Sequence, residues 1–189
     1  MEVLYRLKGN ERLLLNDPEK IWVVKSGQVS LFATKVKDEM PLASHLSEAA
    51  PKEHRRYLFS VGAFEALFSA ATKIGESLSL VAVAIEATEL SQISIADLVR
   101  LMTTGEAEAL SVALPQAIAL LQGWINHFSE TFSTEPTAEN FSHYLSLIKP
   151  ENAASLPSIL ADLHSEFFDY LKKLQQQETE IAFSQFQQR

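Results

Sequence analysis

The stretch EKIWVVKSGQVSLFATKV, Glu19 to Val36, decides how the chain is read. It holds two runs of strand-forming residues, Ile21–Val24 and Val29–Thr34. They are joined at Lys25-Ser26-Gly27-Gln28, where Gly27 supplies the positive φ of a tight turn. Asn16-Asp17-Pro18 marks a turn just before the first run. The expectation is the opening hairpin of a small jelly roll.

Working outward, the polar, Ala-rich segment from Met40 to Lys52 is bounded by Pro41 and Pro51 and reads as a long hairpin loop. RRYLFSVGAFEALFS, Arg55 to Ser69, returns as a strand, breaks at Gly62 and continues as a strand or short helix. ESLSLVAVAIEATELSQISIADL, Glu76 to Leu98, is the clearest strand pair. Leu78, Leu80, Val83 and Ile85 mark its first strand, Glu86-Ala87-Thr88 a turn, and Glu89–Ile93 its second strand. Short strands separated by turn residues point to a β-roll over residues 1–93.

The pattern changes near residue 94. Ser94 caps a helix, with Asp97 three residues on as an imperfect capping box. In EAEALSVALPQAIALLQGWINHFSETF, Glu106 to Phe132, the apolar residues Ile118, Leu121, Ile125 and Phe128 recur at three- and four-residue steps. That is an amphipathic helix, with Pro115 expected in its first turn. AENFSHYLSLI reads as a short helix. Pro157 opens a last helix striped by Leu160, Leu163, Phe167, Tyr170, Leu171 and Leu174. The fold class is α+β: a roll over 1–93, then a helical segment over 94–189. The last helix meets no stop signal, and Ile181, Phe183 and Phe186 are still apolar near its end. Either it packs on a partner or the chain continues past Arg189; the second is preferred. The apolar stripes of the last two helices either pack back on the roll or form a docking surface.

Composition narrows the function. The 189 residues are 47% hydrophobic, enough for a sizeable core. Lys and Arg total 16 against 24 Asp and Glu, a formal net charge of −8. That balance argues against nucleic acid, whose phosphates need a clustered positive surface, and against anionic lipid. With no cysteine, thiolate metal sites, disulfides and cysteine nucleophiles are excluded. No signal peptide opens the chain, and no apolar run approaches the ~20 residues of a membrane helix. Neither a G-x-S-x-G elbow nor a P-loop is present, so this segment is read as non-catalytic. His127 with Glu130 and Glu139 with His143 have helical spacing that would suit a metal, but a solvated helix face is the preferred reading. No cofactor is expected.

The β-rich half resembles the cyclic-nucleotide-binding domain family. VAVAIEATELSQISIADLVRL looks like the end of that roll leading into its helix. In detail it looks closer to the N-terminal domain of ABC-type bacteriocin exporters whose cargo carries a nitrile-hydratase-like leader. The residues in common are Trp22, Val24, Ser26, Gly27, Val29, Phe32 and Ala33, then Arg55, Arg56, Leu58, Phe59, Val61, Gly62, Glu65, Leu67 and Phe68, and later Trp124. Phe64 and Ser69 stand where that pattern has glycines. In nucleotide-binding members a Glu takes the ribose hydroxyls and an Arg the cyclic phosphate. By resemblance Glu65 stands for the Glu, while the Arg position falls on Leu78. Between Ala63 and Arg100 there is no Arg, and Lys73 is the one Lys. A phosphate without a compensating charge is costly to bury. Pocket candidates are therefore Glu65, Lys73 and Leu78, with no cyclic nucleotide expected.

The resemblance implies a cytosolic accessory or regulatory domain of a peptide exporter. Its partners would be the transporter's membrane and ATPase domains or a leader peptide, with a homodimer through the C-terminal helices as a further partner. The alternative is a stand-alone small-ligand sensor with altered pocket chemistry.

Overall fold

The computed structural model describes residues 3–35, 55–70, 78–103, 107–131 and 141–187. Eight strands come first: β1 Val3–Leu7, β2 Arg12–Leu15, β3 Lys20–Ser26, β4 Val29–Lys35, β5 Arg56–Val61, β6 Ala66–Phe68, β7 Leu78–Ala84 and β8 Thr88–Ser94. They form two antiparallel four-stranded sheets, ordered β1-β8-β3-β6 and β2-β7-β4-β5. That order is a jelly roll, and the helices follow it: α1 Ile95–Thr103, α2 Ala107–Thr131 and α3 Leu156–Gln187. Two 3₁₀ segments, Phe141–Leu147 and Pro150–Ser155, lie between α2 and α3. The α+β expectation holds.

The hairpin expected at Glu19–Val36 is corrected. β3 and β4 exist, but β3 pairs with β6 and β8, and β4 with β5 and β7. Ser26-Gly27-Gln28 is a corner between sheets, not a hairpin turn within one. β7 and β8 likewise change sheet at Ile85-Glu86-Ala87. Local alternation is the same for a strand paired with its sequence neighbour and one paired with a distant strand, so the pattern finds the strands and not their partners.

These two corners lock together. Ile85 N–H donates to the Gln28 carbonyl at 2.9 Å, and Thr88 Oγ1 donates to the carbonyls of Gln28 and Glu86. Gly27 has φ +87°, and a Cβ there would lie 2.5 Å from Thr88 Oγ1 and 2.6 Å from the Ala87 carbonyl. Glycine is required for both reasons.

Inward-facing Leu15, Val24, Val29, Leu31, Leu80, Ala82 and Leu90 fill the space between the sheets and are fully buried. Ser94 ends β8 and starts α1, with Asp97 N–H donating to Ser94 Oγ at 3.0 Å, the cap read from the sequence. α2 begins at Ala107, so Pro115 is inside the helix and not in its first turn. Tertiary packing of Ala117, Leu121, Trp124, Ile125 and Phe128 outweighs the one backbone bond that proline removes. AENFSHYLSLI supplies a 3₁₀ segment where a short helix was expected. The α3 stripe is buried as far as Leu174, after which Ile181, Phe183 and Phe186 are exposed. The long insert from Met40 to Lys52 lies outside the described residues.

Gly27→Ala is expected to destabilise the protein by about 3 kcal/mol, combining left-handed strain with the clash at Thr88. Urea unfolding checks this, and a loss below about 1 kcal/mol would mean that the corner is looser than its geometry.

Candidate functional site

The turn between β5 and β6 is built by its backbone. Phe64 N–H donates to the Val24 carbonyl at 2.8 Å, Val24 N–H to the Glu65 carbonyl at 2.9 Å, and Glu65 N–H to the Gly62 carbonyl at 3.2 Å. Phe64 is held at φ +69° with its ring 80% exposed. A bulky residue adopts that conformation only where its surroundings impose it. The resemblance put a glycine at this position, and the backbone here has the conformation glycine favours.

Glu65 is engaged on both carboxylate oxygens. Oε2 accepts the Gly62 N–H at 2.7 Å, and Oε1 lies 2.7 Å from His127 Nε2 on α2. A carboxylate only accepts, so His127 carries its proton on Nε2 and donates it. The imidazole stacks flat on Phe59 of β5, with centroids 4.6 Å apart and planes 5° apart. The candidate ligand carboxylate of the roll is thus tied to the helix that follows it.

Beside this pair an aromatic cluster joins roll and helices. Trp124 on α2 packs edge-on to Phe59 at 5.5 Å and Phe128 at 4.9 Å, and lies 5.7 Å from Phe68 of β6. Its Nε1–H donates to His164 Nε2 on α3 at 3.1 Å. Phe128 meets Phe167 of α3 at 4.3 Å. Burial holds His164 well below the usual imidazole range, at about 4. It is therefore neutral, with its proton on Nδ1 because Nε2 accepts from the indole.

The other sequence candidates are dispersed. Leu78 is buried in β7, 2% exposed, opposite Lys35 of β4. Lys73 lies outside the described residues, as does Glu139. His127 bonds to Glu65 across the domain, and His143 Nε2 is 4.0 Å from Glu166 on α3. Among the described residues no group of three or more metal-ligating side chains forms, and no helix is long and apolar enough to cross a membrane. The Glu65–His127 and Trp124–His164 pairs, 62 and 40 residues apart, were not read from the sequence. For His164 a signal existed, since it lies four residues from Leu160 and three from Phe167 on an apolar face.

Comparison with known proteins gives likenesses of fold. A cyclic nucleotide-binding domain from Methylobacillus flagellatus aligns at 16% identity and TM-score 0.44, covering 71% of this chain and 66% of that one. The sensor domain of the transcriptional regulator DNR from Pseudomonas aeruginosa aligns at 15% and 0.38, covering 73% and 79%. The heme domain of CooA from Carboxydothermus hydrogenoformans aligns at 15% and 0.34, covering 66% and 78%. No family model and no curated protein matches the chain. The fold assignment rests on the strand order, and the functional reading on this chain's own residues.

Two measurements test this site. Because the folded value of His164 lies below its unfolded value of 6.5, its contribution is complete above pH 6.5 and is lost as pH falls toward about 4. Unfolding free energy should drop with a slope of about 1.4 kcal/mol per pH unit across that window, and His164→Gln should remove that share of the slope. An unchanged slope in the variant would place the titration elsewhere. A double-mutant cycle with Glu65→Gln and His127→Ala should give a coupling of about 1 kcal/mol, and strictly additive losses would show the pair to be incidental.

Proposed function

We propose that this chain is a non-catalytic regulatory module, a jelly roll coupled to its helical segment, that serves as an accessory domain of an ABC-type peptide exporter and binds no cyclic nucleotide. The observation that carries the reading is the double engagement of Glu65. A ribose approaching Glu65 must share its carboxylate with the His127 and Gly62 N–H donors that already hold one position on each oxygen and fix its orientation. Leu78, at the position where the resemblance calls for a phosphate-binding Arg, is an apolar core residue. The roll thus speaks to α2 directly, through Glu65–His127 and through Phe59 and Phe68 on Trp124. The exporter assignment draws on the Trp22–Ala33 and Arg55–Phe68 blocks of sequence. Its partner is then a leader peptide or the transporter's own domains, on the cytosolic side of the membrane.

A second reading, a small-ligand sensor, draws on Ser79. Its Oγ is buried and, among the described residues, has no hydrogen-bond partner, one residue from Leu78.

Thermal melts separate the two. A ligand present at a hundred times its Kd adds about 2.7 kcal/mol, or roughly 5–10 °C for a chain of this size. Cyclic AMP and cyclic GMP are expected to give no shift, whereas a labelled nitrile-hydratase-like leader peptide should bind saturably in an anisotropy titration. A clear shift with either cyclic nucleotide would sink the regulatory reading. A shift with another small phosphate would favour the sensor. No binding to the leader peptide, nor to membranes carrying the exporter core, would remove the exporter assignment.

A further inference from the structure

Four strands form the edges of the two sheets, and three of them are protected. β6 has three residues, all buried, and α2 packs on it. β5 carries a register shift against β4, and its Arg56 is bound to Glu178 of α3 at 2.9 Å. On β2, four residues long, the Leu15 carbonyl accepts the Ala70 N–H. Shortness, bulges and covering elements are the usual ways of blunting an edge.

Among the described residues β1 shows neither a bulge nor a covering element. Its five residues, VLYRL, run in regular register against β8 without bulge or proline. Among the described residues no backbone group of Val3–Leu7 bonds outside that pairing. Val3, Leu4 and Tyr5 are 48%, 58% and 42% exposed. Tyr5 packs edge-on to Trp22 at 4.8 Å, which fixes the strand on the sheet. Arg6, Glu89 and Ser26 form one cross-strand row, at the end of an open cleft of about 430 Å³ lined by Arg6, Leu7, Ser26, Ala87, Thr88 and Glu89.

We infer that the free edge of β1 takes up an extended peptide strand with one apolar and one acidic face, supplied by a partner polypeptide. Main-chain hydrogen bonds along Val3–Leu7 provide the pairing, and alternate side chains provide the selection. Apolar residues of the incoming strand lie beside Val3, Tyr5 and Leu7. Acidic ones lie on the face of Leu4 and Arg6, where the cleft leaves room for them. Local charge chooses the occupant. In a chain of net charge −8, the strand itself, Val3–Leu7, carries Arg6 and no acid. The Arg6 side chain is 81% exposed, and its contact with Glu89 runs through Nε. A second copy of β1 would bring a further Arg6 to this edge and no acid to meet the first. The inference stands independently of the Glu65–His127 contact and of the exporter assignment.

The test uses the full chain and short labelled peptides: alternating valine and glutamate, alternating valine and lysine, and the glutamate peptide with a central proline. Anisotropy should show the valine–glutamate peptide binding about tenfold more tightly than the valine–lysine peptide, with the proline version weakest. Hydrogen exchange should slow at residues 3–7 in the complex. Arg6→Glu should reverse the charge preference, and Leu4→Glu should weaken the valine–glutamate peptide several-fold, because like charges then face each other across the pairing. If Arg6→Glu does not fold, Arg6→Gln should still shrink the preference. The inference fails if no peptide binds saturably at millimolar concentration. It fails equally if the preference is indifferent to Arg6 in a folded variant, or if protection appears away from β1. Sedimentation showing a dimer with residues 3–7 protected in the absence of peptide would assign the edge to a second copy and overturn the peptide as occupant.

Discussion

The structure turns on the indole of Trp124. An indole N–H taken out of water needs an acceptor, because an unpaired one costs about 1–3 kcal/mol. Trp124 is 1% exposed, so the acceptor has to come from within the fold, and His164 of α3 supplies it. The ring itself touches Phe59 and Phe68 of the roll. One side chain therefore sets three distances at once: roll to α2, α2 to α3, and by that route α3 to the roll. The helical segment is part of the same packing unit as the sheets. The shared core running from Leu15 to Leu174 reflects this. The neutrality of His164 follows from the same geometry, since a protonated ring would leave the indole no lone pair to meet.

How much of this was legible in the sequence depends on the range of the interaction. Positive φ at Gly27, the Ser94 cap and the apolar stripes of α2 and α3 are set by residues within a few positions of one another, and they were read directly. Strand partners are set across the chain. Trp22 lies opposite Leu67 and Gln92, and nothing local to Glu19–Val36 separates a corner from a hairpin. The helix stripe was equally blind to its own end. Leu174 and Ile181 look alike in the sequence, yet the first is buried and the second 57% exposed. The stripe is buried up to Leu174 and exposed beyond it, with Glu178 tied to Arg56 of β5.

Glu65 shows why a residue's chemistry has to be argued from its partners. By resemblance alone it would stand for a ligand-binding carboxylate, and the turn that presents it has a left-handed residue, Phe64, before it. What differs is the donor that reaches it. His127 comes from α2, the helix that Trp124 fixes against β5 and β6, so the position of the imidazole is set by the core and not by the pocket. Freeing Oε1 means breaking a 2.7 Å hydrogen bond, separating the imidazole from Phe59, or moving α2 with its buried aromatics. The first leaves a donor to find water at a half-buried site, and the last disrupts the core. A ligand that needs Oε1 to itself has to recover that loss. The same coupling has a constructive side. A displacement of α2 would alter the surroundings of Glu65 and the β5–β6 turn, because the contacts that close the site are among those that hold the helix.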